Sequence, residues 1–294
     1  MKAGYNGTVV DADKAVISVY DHGFLYGMGL FETFRTYGGR PYMLDRHLER
    51  LKEGCRELGI RFDMEEEEVR SWIAEVMAGN GLADAYVRLT VSAGEAGLGL
   101  PADDYGQPNA IVLVKPLQVP DEREYLAGRT LRLLRTARNT PEGVRRLKSL
   151  HYMNNIIARR ELAASGAAAG TEGLMLTREG MLAEGIVSNL FFVRDGVVCT
   201  PAVETGILPG ITRHRVLELA ESAGCRTEEG LYRWSDLLAA SEIWTTGSVQ
   251  ELMPITTLVD AEGMSRKVGS GEAGPVALRL LALYRQDARQ ASGD

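Results

Sequence analysis

Hydrophobic and polar positions along this 294-residue chain fall into short alternating stretches interrupted by stretches of helical spacing. Residues 4–10 and 15–20 alternate, which predicts two short strands joined at Asp11-Ala12-Asp13. Alternation returns at 30–37 and runs into Gly38-Gly39, a pair suited to a hairpin turn. The period then changes. Residues 44–58 repeat every three or four positions, with Asp45 as N-cap and Gly59 as stop, and a second helix is predicted at about 65–78. Residues 85–93 and 109–117 read as strands around a glycine-rich loop, 94–106.

The stretch VPDEREYLAG, 119–128, has the proline, charge and glycine content of a connector, and the pattern restarts beyond it. Strands are predicted at 130–137, 171–177, 190–193, 197–200 and 242–246, with Arg194-Asp195-Gly196 as a hairpin turn. Helices are predicted at 150–165, 212–223, 235–240 and from 275 to about 291. The expected organisation is an N-terminal α/β domain over 1–118, a linker over 119–129 and a C-terminal α/β domain over 130–294. The fold class is therefore α/β (α+β) with two domains.

Composition narrows the function classes. Forty acidic against 33 basic residues give a net charge of −7, which argues against a partner bound through a basic field, such as nucleic acid. No apolar run approaches the roughly 20 residues that span a bilayer, and the first residues lack the basic end and apolar stretch of a signal peptide. Three widely spaced cysteines suggest neither a disulfide framework nor a metal cluster. These features lead us to expect a cytoplasmic protein with no membrane or nucleic-acid partner.

Only six of the 33 basic residues are lysines: Lys2, Lys14, Lys52, Lys115, Lys148 and Lys267. Lys148, in RRLKSLHYMNN, follows two arginines at a transition into a helix, where cationic neighbours and partial burial favour a neutral, nucleophilic amine. The same spacing suits a basic turn facing water. An amine nucleophile that serves a carbonyl cofactor also needs an anion site and an acid partner. Arg46 and Arg50 lie four apart on one helical face and could fork a phosphate, or could pair with Glu49 and Glu53 in solvent. Pro209-Gly210 precedes a helix that starts near Thr212, which is either an anion site or a plainly capped helix. The small-residue turn TTGSV could close on the same anion, and Glu184 precedes a strand.

Taken in order, these motifs resemble the class IV, fold-type IV, pyridoxal-phosphate enzymes. The resemblance rests on D-H-G-F-L-Y-G-x-G-L-F-E-T at 21–33, the R-H-x-x-R-L element ending at Leu51, and K-S-L-x-Y at Lys148. It rests further on E-x-x-x-S-N-L-F at 184–191 and I-L-P-G-I-T-R at 207–213, and it extends to G-S-G-E-A-G-P at 269–275. It implies a two-domain fold-type IV enzyme using pyridoxal 5'-phosphate, with Lys148 as Schiff-base and proton-transfer lysine and Arg50 as phosphate ligand. Glu184 would meet the pyridine nitrogen, with Asn189 of the same motif among the cofactor contacts. Ile211, Thr212, Ser248 and Val249 would surround the phosphate, and Tyr152 would stand near the ring oxygen. Met28 departs from the family's usual Asp in the Y-G-D-G turn, which puts the local hydrogen bonding of that turn in doubt.

Within that family, Glu32-Thr33, the run at 138–155 and TTGSVQELMP resemble bacterial aminodeoxychorismate lyases. No R-x-H pair of the D-amino-acid aminotransferase kind follows Arg88. The resemblance implies conversion of 4-amino-4-deoxychorismate to 4-aminobenzoate and pyruvate, a step of folate biosynthesis. Thr33 would steer the departing group, and Tyr26, Tyr86 and Arg88 would contact substrate. An aminotransferase for D- or branched-chain amino acids is the alternative, and a basic-helix binding module using Arg46 and Arg50 is the non-enzymatic one. Family members are homodimers, and the 94–106 loop is the expected contribution to a neighbour's site.

Overall fold

In the computed structural model, which describes residues 1–292, the chain divides into two units. The first is Met1–Gln118 with Leu147–His151 and the chain end from Ala288; the second is Val119–Arg146 with Tyr152–Asp287. Lys148, expected in the C-terminal domain, therefore belongs with the first unit. Its backbone explains why. Phe31 N donates to Lys148 O at 2.9 Å, Leu150 N donates to Gly29 O at 3.0 Å, and Leu30 bridges Ser149, so 148–150 runs as a short antiparallel partner of the strand at 29–37.

The first unit is built on an antiparallel sheet. Its strands are β1 (Lys2–Tyr5), β2 (Thr8–Asp11), β3 (Gly29–Tyr37), β4 (Arg40–Pro41), β5 (Ala85–Ser92) and β6 (Asn109–Pro116), in the order β2-β1-β6-β5-β3-β4. Its helices are α1 (His22–Tyr26), α2 (Leu44–Glu57) and α3 (Glu66–Gly79). Period-two alternation decides the faces. Ala85, Val87, Leu89 and Val91 of β5 share a core with Leu48 and Leu51 of α2 and Val69, Ile73 and Val76 of α3. Tyr86, Arg88 and Thr90 point to the opposite face and are half-buried.

Three expectations fail here. Residues 4–10 are a hairpin, not one strand, because Asn6 and Gly7 both take positive φ, +47° and +81°, as a two-residue hairpin turn requires. Residues 15–20 form no strand. Asp45 does not cap α2; the cap position is Met43 in the left-handed region, without a side-chain hydrogen bond.

The second unit carries a mixed sheet. It contains α4 (Glu122–Ala127), β7 (Arg129–Leu133), α5 (Met153–Ala164), β8 (Glu172–Leu176), β9 (Leu182–Gly185), β10 (Asn189–Arg194) and β11 (Val197–Pro201). There follow α6 (Ile211–Ser222), β12 (Arg226–Gly230), α7 (Trp234–Leu238), β13 (Glu242–Gly247), β14 (Glu251–Val259), β15 (Ser265–Lys267) and α8 (Pro275–Ser292). The strand order is β12-β11-β10-β13-β14-β7-β8-β9, with β15 paired to β14. The pairs β11/β12, β7/β14 and β7/β8 are parallel. Leu131, Leu174, Leu190, Phe192, Ile243, Ile255 and Leu258 bring these strands into one core. Four strands, β9, β12, β14 and β15, are not predicted from the sequence, and α5 starts at Met153 instead of 150 because 148–150 is engaged with β3.

Candidate active site

In the first unit the register of β3 does the placing. Even positions Leu30, Glu32 and Phe34 pair with Val91, Leu89 and Val87, so Glu32 lies on the face that packs against the helices. A carboxylate there must find partners. α2 supplies them three residues apart: His47 Nδ1 lies 2.6 Å from Glu32 Oε2, while Arg50 donates through Nε at 2.8 Å and Nη2 at 2.6 Å. Burial alone would raise the Glu32 carboxyl, but Arg50 and His47 outweigh it and hold it at about 2. Burial lowers the His47 pKa, helped by the charges of Arg50 and Lys148, against the pull of Glu32. His47 faces the Glu32 carboxylate through Nδ1, and its buried Nε2 has no hydrogen-bond partner among the described residues.

Odd positions of β3 face the other way. Thr33 pairs with Arg88 and Arg35 with Tyr86, so the residues expected to meet substrate, Thr33, Tyr86 and Arg88, share one sheet face. The Phe31 ring anchors it: the Arg88 guanidinium carbon lies 3.6 Å from its centroid and Lys148 Nζ 4.7 Å. Tyr26 is differently engaged, since its hydroxyl accepts from Gly99 N at 3.2 Å. That contact belongs to a clamp on the 94–105 loop, in which buried His22 meets Tyr105 Oη and Gly97 O, both at 2.9 Å.

The second unit holds the other expected residues. Glu184 on β9 is buried, and its carboxylate accepts from Arg138 Nε at 2.8 Å, Asn189 Nδ2 at 3.1 Å and Leu208 N at 3.0 Å. Asn189 also donates to Leu208 O at 2.9 Å, so it fixes both Glu184 and the 206–210 turn. Gly210 is required there, because a Cβ would collide with Asn189 Oδ1. α6 begins immediately afterwards, at Ile211, and its N-cap Gly210 offers no side-chain acceptor for the first amides. Thr212 Oγ1 meets Ser248 Oγ at 3.0 Å, joining the helix start to the β13–β14 turn, and buried Thr246 Oγ1 lacks a hydrogen-bond partner among the described residues. Uncapped amides beside paired hydroxyls are the donors that a phosphate ester needs. Val249 lies in the same turn and Tyr152 at the N-cap of α5. Within the second unit the donor set fits the ring nitrogen and phosphate of pyridoxal phosphate: a carboxylate held by charged and amide donors, and a hydroxyl-lined anion cup.

Sequence reasoning missed Glu32, His47, Phe31 and Arg138. Glu32 stood in the quoted 21–33 motif and Arg138 opened the lyase-like run 138–155, but no local pattern gave either a role, because their partners arrive from other elements.

The amino-transferase class IV family matches residues 29–258. The chain is similar to the aminodeoxychorismate lyase of Bacillus subtilis, at 41% identity over 94% of this chain and 92% of the relative. It is also similar to the D-alanine aminotransferase of Bacillus licheniformis, at 29% identity over 94% and 93%. Among solved structures, the T.th. branched-chain amino acid aminotransferase with pyridoxamine 5'-phosphate superposes with a TM-score of 0.86, 30% identity and coverage of 98% and 93%.

Proposed function

The chain belongs to the amino-transferase class IV family, and from that premise we propose that it is a pyridoxal-phosphate-dependent lyase that converts 4-amino-4-deoxychorismate to 4-aminobenzoate and pyruvate. The observation that carries the choice of reaction is the 41% identity to a lyase over nearly the full length of both chains, against 35% to a putative branched-chain-amino-acid aminotransferase and 29% to a D-alanine aminotransferase.

In this reading Lys148 Nζ binds the cofactor and later takes the proton from C4 of the substrate. Bound pyridoxal phosphate supplies a sink for the electrons left at that carbon. The bond from C3 to the enolpyruvyl oxygen then breaks, the ring becomes aromatic, and protonation of the released enol gives pyruvate. Thr33 and Arg88 share a face with Tyr86 and are suited to steer the leaving group and hold a carboxylate. Glu184 holds the proton on the pyridine nitrogen. Arg138 holds the Glu184 side chain in place for that task by a charge-assisted hydrogen bond. Thr212, Ser248 and the amides at Ile211 take the phosphate. Arg50 is its further ligand, and Glu32 aims the guanidinium by accepting from Nε and Nη2.

The enzyme is further proposed to act in the cytoplasm as a homodimer. Among the described residues no helix is long and apolar enough to cross a membrane. Large apolar side chains exposed on the 94–106 loop, Leu98 at 77% and Leu100 at 87%, support a second copy as the partner that covers them. Borohydride reduction of the holoenzyme followed by peptide mapping tests the site: the label belongs on Lys148, and a label on another lysine overturns the assignment. Release of pyruvate and 4-aminobenzoate from 4-amino-4-deoxychorismate tests the reaction.

A further inference from the structure

Glu251, the first residue of β14, takes φ +62° although it is not glycine and its side chain is only 2% exposed. The three residues before it, Ser248 to Gln250, form the β13–β14 turn, and Gly247 pairs with Glu251 across its base. A left-handed residue that closes such a turn is ordinarily Gly, since a Cβ is strained there. An outlier of this kind persists only where its surroundings over-determine it.

The surroundings here are three elements. Arg285 Nε of α8 donates to Glu251 Oε2 at 2.7 Å, and Tyr125 Oη of α4 reaches the same oxygen at 3.2 Å and Gln250 O at 3.4 Å. The Arg285 guanidinium also stacks on the Tyr125 ring at 4.3 Å. From β7, Arg129 Nη1 donates to the Gln250 side chain at 2.7 Å. The neighbour of Arg285 on α8, Tyr284, is fully buried, with its hydroxyl 3.5 Å from Thr212 Oγ1. Consecutive residues of one helix thus hold both walls of the hydroxyl-lined cup, the α6 start through Thr212 and the turn through Glu251.

We propose that Glu251, braced by Arg285 and Tyr125, is a positioning residue that presets the Ser248 turn against Thr212 as the phosphate-binding wall. A carboxylate is suited to the task because one oxygen accepts from two donors on different helices, which fixes the turn in the conformation that a glycine would leave free to vary. This inference rests on the reading that the cup takes the cofactor's phosphate.

The test compares binding of pyridoxal phosphate with that of pyridoxal, which lacks the phosphate, to the full-length apo-protein, with a thermal melt for each variant. Glu251→Ala removes the brace and should reduce the preference for the phosphorylated ligand by about tenfold or more, as loss of hydrogen bonds to a charged group does. Arg285→Gln, on a partly exposed side chain, should reduce it similarly. Glu251→Gln keeps an acceptor oxygen and should stay within about threefold of the parent. If Glu251→Ala lowers both affinities equally, or neither, so that the preference is unchanged, the brace is overturned. A parent protein with no preference for the phosphorylated ligand overturns the phosphate reading of the cup and the brace with it.

Discussion

The Glu32–His47–Arg50 cluster shows how one buried carboxylate dictates the chemistry around it. Burial on the helix-packed face of β3 disfavours the Glu32 carboxylate; two donors from one helix turn outweigh that and hold its pKa low. Its folded pKa is depressed, so its contribution to stability is fully present above the ordinary value of 4.5 and is lost as pH falls toward about 2. The full shift corresponds to about 3 kcal/mol. His47 acts in the same direction at higher pH: its folded pKa lies below 6.5, so stability starts to fall once pH drops below that value. Melting temperature measured against pH should therefore decline in two stages. His47→Gln should abolish the upper stage, and Glu32→Gln should flatten the lower one while lowering stability at neutral pH. A parent profile flat from pH 7 down to about 2 would show that neither group is poised as described.

At the level of elements, glycine decides two turns by different means. Gly210 has an ordinary φ but no room for a Cβ, whereas Gly7 has open space around it and a φ of +81°. Gly210→Ala should cost about 1–3 kcal/mol by overpacking and should weaken cofactor binding, because the displaced Asn189 orients Glu184. Gly7→Ala should cost about 1 kcal/mol through backbone strain and leave cofactor binding alone. Urea unfolding and cofactor titration of both variants separate the two outcomes.

The same elements show what the sequence could and could not reveal. Regular periods at 30–37, 44–58 and 85–93 were readable because one face of each element meets a core. β14 was not, since it lies between β13 and β7, is buried on both faces, and carries Pro254 and a register shift near Ile255 and Thr257. The pairing of 148–150 with β3 joins residues more than a hundred positions apart, and no local pattern announces it. Lys148 itself stood out by scarcity and neighbours. Glu32 did not, because the role of a buried carboxylate is set by which helix face arrives opposite it.

For the molecule as a whole, the net charge of −7 supplies no overall field that would attract an anionic substrate or cofactor, so their recognition is expected to fall to a few placed groups. Assembly is the other whole-molecule property. Light scattering should give twice 32.1 kDa, and charges placed at Leu98 and Leu100 together should lower the apparent mass toward that of one chain. A parent protein that elutes at 32.1 kDa would exclude the dimer. The central claim is the reaction. Purified enzyme given 4-amino-4-deoxychorismate without any 2-oxo acid should release pyruvate and 4-aminobenzoate in equal amounts, and Lys148→Ala should slow this by at least about 10²–10⁴-fold. Transfer of an amino group to 2-oxoglutarate with no pyruvate released would contradict the account.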